Sequence, residues 1–289
     1  MRALTLVILV LLLGCTNDSA PTKQNQMGEN WQFFPCSMGE DQAFIYLNVS
    51  IDDAIAEAPQ SLAKLRLTYK STHPNGLPMD VEFEPVKEIE DRIEGYSKEA
   101  DDWYVGRVTV SGHRIFYVYT SRGEPDWTDF VTTLSAESGY EIRLSLRDDP
   151  AHRGYHDDLF PTEDDWRVIH DLQVIEALAR SGDDGSETRK VDHWVYFDTK
   201  ASATDFVTWA ESDRFTEDAE YSHPTDDGRY CVRLYHHGTV KIGDISSHTI
   251  ALRRKAEEYG GDYDGWETLV VKPEESASSQ NAPEGAPDG

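Results

Sequence analysis

Positive charge is scarce in this chain. Its 289 residues carry 27 Lys plus Arg against 54 Asp plus Glu, a net charge of −27. Nucleic acid and anionic membrane surfaces both need clustered bases to displace their counterions, so neither is an expected partner, whereas a basic protein surface is. Cysteine is also scarce, at three residues, and there is no Cys-x-x-Cys or His-Glu-x-x-His spacing to hold zinc. The Gly-x-Ser-x-Gly elbow and phosphate-cradling glycine loops are missing, so no catalytic residue and no cofactor is assigned. No apolar run approaches the roughly 20 residues of a membrane-spanning helix. Aromatic residues are plentiful: 7 Trp, 14 Tyr and 10 Phe can fill real cores, in a length with room for about two domains.

The two ends differ from the middle. Met1 and Arg2 precede an apolar run, Leu4 to Leu13, broken only by Thr5, too short to span a bilayer and of signal-peptide form. It ends in Leu12-Leu13-Gly14-Cys15, which resembles the lipobox of bacterial lipoproteins. The resemblance implies a signal peptide over 1–14, lipidation of Cys15, and membrane attachment by lipid alone. Thr16, rather than Asp, after the cysteine implies an outer-membrane anchor facing the periplasm. A plain secretory signal with an incidental cysteine is the alternative. Residues 15–30 read as a flexible tether and 273–289, rich in Pro, Ser, Gly and acid, as a disordered tail. The folded mass is expected between Trp31 and Lys272.

That span reads as two α+β domains, 31–160 and 161–272. In the first, Trp31–Pro35, Ala43–Ile51 and Leu62–Tyr69 are strand-like. Pro85, Val86, Ile89, Ile93 and Tyr96 then recur at helical spacing up to about Ala100. A strand pair over Trp103–Thr120 turned at Ser111-Gly112, a helix near Asp126–Ser138 and a strand Tyr140–Leu146 complete a related α/β sandwich. The second opens with a helix from about Thr162, as its cap, to Arg180, with Gly182 as a stop. Strand Val191–Asp198, helix Ser202–Ser212, a hairpin Glu217–His223/Tyr230–His237, helix Asp244–Tyr259 and strand Tyr263–Val271 follow. This βαββαβ order predicts a ferredoxin-like split βαβ with a four-stranded antiparallel sheet. The pentapeptide Thr-Asp-Phe-Val-Thr occurs at 128–132 and again at 204–208, from a degenerate duplication or from shared helix-start chemistry in which Thr or Asp caps.

Two stretches of the second domain, the one from Gly182-Asp183 through Asp192-His193 to Thr204-Asp205-Phe206, and the ending with Asp262-Tyr263-Asp264-Gly265-Trp266, resemble the regulator of ribonuclease E activity B (RraB) family. The segment from Trp31 to Phe160 resembles a family of unknown function commonly fused to it. This second resemblance rests on Trp-Gln-Phe-Phe-Pro-Cys at 31–36, the run 103–120, and Asp-Asp-Pro followed by Leu-Phe-Pro near 148–161. The first resemblance implies a non-enzymatic module that binds and regulates a ribonuclease. Export would keep it from a cytoplasmic target, so an envelope protein becomes the expected partner. An envelope hydrolase acting on glycan, and a cytoplasmic ribonuclease E inhibitor with a misread N-terminus, are the alternatives.

The candidate partner contacts are Asp192, His193, Asp262, Tyr263, Asp264 and Trp266, with Tyr263 and Trp266 expected to be partly exposed beside the acids. Trp194 is divided between core packing and an aromatic contact surface. Cys36 and Cys231 either pair across the two domains or remain two buried thiols. No metal site is expected: His236 and His237 are consecutive and point to opposite faces of a strand. The Gly261–Gly265 segment lacks the twelfth-position acid of an EF-hand, which falls on Val271, and reads as a turn into the last strand. Asp157, Asp158, Asp164 and Asp165 crowd together as paired glycosidase acids would, or as the acidic start of a helix.

Overall fold

The computed structural model describes residues 28–272. The signal sequence, Cys15, most of the tether and the tail lie outside the described residues. The chain divides into two compact units: Asn48–Arg107 with Gly112–Asp158, and Gln32–Leu47 with Val108–Ser111 and the chain from Leu159 onward. Among the described residues no helix is long and apolar enough to cross a membrane.

The N-terminal half forms β1 (Trp31–Met38), β2 (Asp41–Asn48), β3 (Ser61–Thr68), α1 (Phe83–Lys98), β4 (Trp103–Val110), β5 (His113–Thr120), α2 (Glu124–Ser138), β6 (Ile142–Asp148) and the single turn α3 (Arg153–His156). Here β5, β3 and β6 are neighbours in one sheet, in that order. β3 pairs antiparallel with β5 and with β6. Alternation along β3 sends Ala63, Leu65 and Leu67 to one side, where Val86, Ile89 and Ile93 of α1 and Trp127, Val131 and Leu134 of α2 close the core. The turn expected at Ser111-Gly112 is there, both residues having positive φ. Residues 49–51 depart from the expected strand: the Asn48 side chain accepts the Ser50 N–H at 3.0 Å and starts a 3-10 segment, Val49–Glu57.

The Asp-Asp-Pro motif has a structural use. Asp149 accepts the Tyr119 hydroxyl at 2.8 Å and the backbone N–H groups of Arg153 and Gly154 at 3.0 and 2.8 Å. Burial works against its carboxylate, but these donors hold its pKa below the usual value. They fix α3 so closely that a Cβ on Gly154 would lie 2.2 Å from Leu62 Cδ2.

The C-terminal half forms α4 (Glu163–Arg180), β7 (Arg189–Phe197), α5 (Lys200–Ser212), β8 (Thr216–Glu217), β9 (His223–Pro224), β10 (Tyr230–Gly238), α6 (Ile242–Glu258) and β11 (Gly261–Thr268). The sheet runs β11-β7-β10-β8, with β9 also on β10 and every pair antiparallel. This is the ferredoxin-like order, with five strands in place of four. The second strand is split because the Tyr221 and Ser222 N–H groups both turn back to the Asp218 carbonyl, at 2.9 and 3.2 Å. Thr162 caps α4 in a reciprocal box with Asp165. Phe206 and Ala210 of α5 and Leu252 and Ala256 of α6 pack on Val195, Phe197, Val232 and Leu234.

The repeated pentapeptide begins five residues beyond the helix cap in both copies, but neither copy does the capping. Gly123 and Thr199 are the cap residues, and both copies lie inside α2 and α5.

Candidate partner-binding surface

The strand Lys190-Val191-Asp192-His193-Trp194-Val195-Tyr196-Phe197 alternates in side-chain direction, so β7 builds two different surfaces. On the helix side Val191, His193, Val195 and Phe197 are all fully or almost fully buried. His193 is therefore not a surface contact, contrary to the sequence expectation. Its Nδ1 lies 2.8 Å from the Tyr263 hydroxyl and its Nε2 2.8 Å from His236 Nδ1. The His236 ring stands 4.1 Å from that of His248 on α6. Burial lowers the pKa of all three imidazoles, His236 to about 4; neighbouring imidazoles add to it at His193 and His236, and Arg214 adds to it at His248. With Tyr263 donating to Nδ1, the Nε2–H of His193 donates to His236. That leaves His236 Nε2 buried without a partner among the described residues.

Trp266 also departs from expectation: it is 8% exposed and faces the helices. Strict alternation would set Tyr263 and Trp266 on opposite sides of β11. A bulge between Tyr263 and Gly265 inserts Asp264 and resets the parity, so both aromatics turn inward. The Trp266 indole donates to Asp171 Oδ1 at 2.9 Å, while Oδ2 accepts Ser246 and Thr249 at 2.8 and 2.6 Å. Sequence reading missed Asp171, whose only signal is a carboxylate on the apolar stripe of α4. Asp262 and Asp264 lie within β11, not in a turn, and are exposed. The turn is made one residue earlier, by Gly260 at φ +71°.

The side of the sheet away from α5 and α6 carries Lys190, Asp192, Trp194 and Tyr196 of β7 beside Cys231, Arg233 and Tyr235 of β10. Trp194, Tyr196 and Tyr235 are half-buried, each beneath a cation. The Arg233 guanidinium lies 5.1 Å from the Trp194 ring and 4.4 Å from Tyr221, Arg229 lies 4.8 Å from Tyr196, and Lys190 Nζ lies 4.5 Å from Tyr235. Asp192 sits among them, 3.0 Å from Arg233 and 2.9 Å from Lys190. Burial opposes its charge, but these partners hold its pKa low. It organises the face and is itself only 8% exposed. Two clefts open here, of about 450 Å³ beside Lys190, Arg233 and Glu267 and about 340 Å³ between Trp194, Tyr196 and Asp264.

Cys36 and Cys231 are free thiols, and no disulfide joins them. Burial, then the Asp165 charge, pushes the Cys36 thiol up to about 11, and Cys231 is sequestered against Tyr196 on the open face. Lys64 binds Asp158 at 2.5 Å. Asp164 is clamped by Arg253 at 2.7 Å and by Arg254, and Asp165 is occupied in the cap of α4. Among the described residues no group of three or more His, Cys, Asp or Glu is placed to hold a metal ion.

Residues 168–268 match the family described as Regulator of ribonuclease activity B, and residues 29–160 match a family of unknown function, DUF695. No curated protein matches the chain. One similar solved structure is titled "Crystal Structure of an Unknown Protein from Galdieria sulphuraria". It is 13% identical, over 73% of this chain and 99% of that one, with a TM-score of 0.20. The chain thus joins a segment resembling DUF695 to a C-terminal, ferredoxin-like domain that resembles the RraB family of ribonuclease regulators.

Proposed function

We propose that the protein is a non-enzymatic, lipid-anchored protein of the cell envelope, whose RraB-like domain binds and regulates a protein partner with a basic surface. The RraB match supports a regulatory, protein-binding role. The observation that carries the reading is the open side of the C-terminal sheet. Trp194, Tyr196 and Tyr235 lie half-buried under Arg233, Arg229 and Lys190, where a merely solvated sheet face needs only small polar residues. Large, rigid, amphipathic rings of this kind dominate protein contacts. The charge of −27, with Asp262, Asp264 and Glu267 exposed beside this face, favours a basic partner. The Leu-Leu-Gly-Cys ending at Cys15 supports lipid attachment, with the outer membrane facing the periplasm as the proposed site.

Two measurements test the reading. Mass spectrometry of the mature N-terminus is expected to find a lipidated Cys15; an unmodified chain starting at Met1 would return the protein to the cytoplasm and to the ribonuclease of the family it resembles. Saturable capture of an envelope protein by the purified chain is expected, and Trp194→Ala should weaken it at least tenfold, as loss of a central aromatic anchor does. Glycan turnover lost on changing Asp157 or Asp164 would replace binding by catalysis.

A further inference from the structure

The exposed edge of the C-terminal sheet suggests how such a partner is held. Among the described residues β11 pairs only with β7, so its outer edge is unpaired. Two clefts, of about 360 and 510 Å³, are lined by β11 and by a stripe of α4 formed by Trp166, His170, Val174 and Ala177. This spacing of four, four and three residues keeps one helix face along the groove. Arg167 crosses it to the Asp264 carbonyl at 3.4 Å. Beyond the strand, Leu269 and Val270 are 82% and 49% exposed. They are presented by an anchored backbone, since the Val271 N–H donates to Asp183 Oδ2 at 2.8 Å.

We propose that this edge takes up an extended, basic and apolar segment of the partner by strand addition along Gly265–Val270, with α4 as the second wall; the inference rests on the protein-binding reading above. Main-chain hydrogen bonds would supply affinity and alternate side chains the selectivity. Asp262, Asp264 and Glu267 make no ion pair among the described residues and would meet Lys or Arg of the incoming strand. The same acids disfavour a second copy of this chain, which would bring like charges together across the edge. The bulge at Asp264 interrupts the ladder and so confines pairing to the run that follows it.

The test uses the full chain and three peptides of about eight residues, a length matched to β11. These are a Lys-Val repeat, a Glu-Val repeat, and the Lys-Val repeat N-methylated at alternate backbone amides. The Lys-Val peptide should bind at least tenfold tighter than Glu-Val and slow amide exchange over residues 265–270. N-methylation should abolish binding, and Asp262→Asn with Asp264→Asn should weaken it about three- to tenfold, as the loss of two exposed ion pairs implies. Equal binding of the methylated peptide, or protection confined to other strands, overturns strand addition. If these arms fail while Trp194→Ala still abolishes partner capture, the binding reading stands and only this inference falls. If Trp194→Ala leaves capture intact while the peptide arms succeed, the open-face reading falls.

Discussion

Acidification should destabilise the C-terminal half through its imidazole cluster before the carboxylates titrate. His236 is 5% exposed and meets His193 on β7, His248 on α6 and, through His193, Tyr263 on β11. Neighbouring His237, and Arg214, Asp213 and Asp244 around His248, complete its charged surroundings. Burial lowers the His236 pKa from 6.5 to about 4. Between these values the unfolded chain binds the proton and the folded one does not, so stability is full above about pH 6.5 and falls as pH drops towards 4. At about pH 5, linkage from His236 alone costs roughly 2 kcal/mol relative to pH 8, or about 10 °C in melting temperature for a domain of this size. Thermal melts of the chain and of His236→Gln at the two pH values isolate this quantity. The variant should lose about 2 kcal/mol less on acidification. An equal loss in both proteins would show that His236 is not held neutral by burial, and the reasoning would fail.

Three further outcomes follow from the packing. Trp266→Phe keeps an aromatic ring but removes the indole N–H that buried Asp171 accepts, and part of the buried volume, so chemical denaturation should show a loss of about 1–3 kcal/mol. Gly261→Ala would place a Cβ 2.3 Å from the Phe197 ring, and a lowered melting temperature, from about 1–3 kcal/mol of overpacking, is expected. Because Cys36 and Cys231 are free, reductant should leave the melting temperature unchanged and thiol titration of the unfolded chain should count both without prior reduction. A reductant-sensitive melt would establish a disulfide.

What the sequence made legible was periodic. The β-branched and aromatic runs and the 3.6-residue stripes of α1 and α4 locate the elements, and their order in the second half specifies the ferredoxin-like sheet. Shorter-range events were not legible. The split of the second strand depends on two N–H groups choosing the Asp218 carbonyl over the ladder, and the single-turn α3 depends on Asp149 binding the N–H groups of Arg153 and Gly154 while it holds the Tyr119 hydroxyl 30 positions away. The candidate contacts were only partly legible because one inserted residue, Asp264, changes which way Tyr263 and Trp266 face. Exposed Asp262 and Asp264 could be read as surface acids. The burial of His193 depends on partners 43 and 70 positions away. The Lys190–Phe197 alternation was the available signal for the open aromatic face, since it separates Trp194 and Tyr196 from Val195 and Phe197.

The central claim is that a protein partner engages that face. A photo-crosslinking residue placed at Tyr235, on the open side, and another at Glu211, exposed on α5, test it directly in intact envelopes. The account predicts one discrete, saturable protein adduct from position 235 that Trp194→Ala removes, and none from position 211. Identical adduct patterns from the two positions, or none from either, would contradict it.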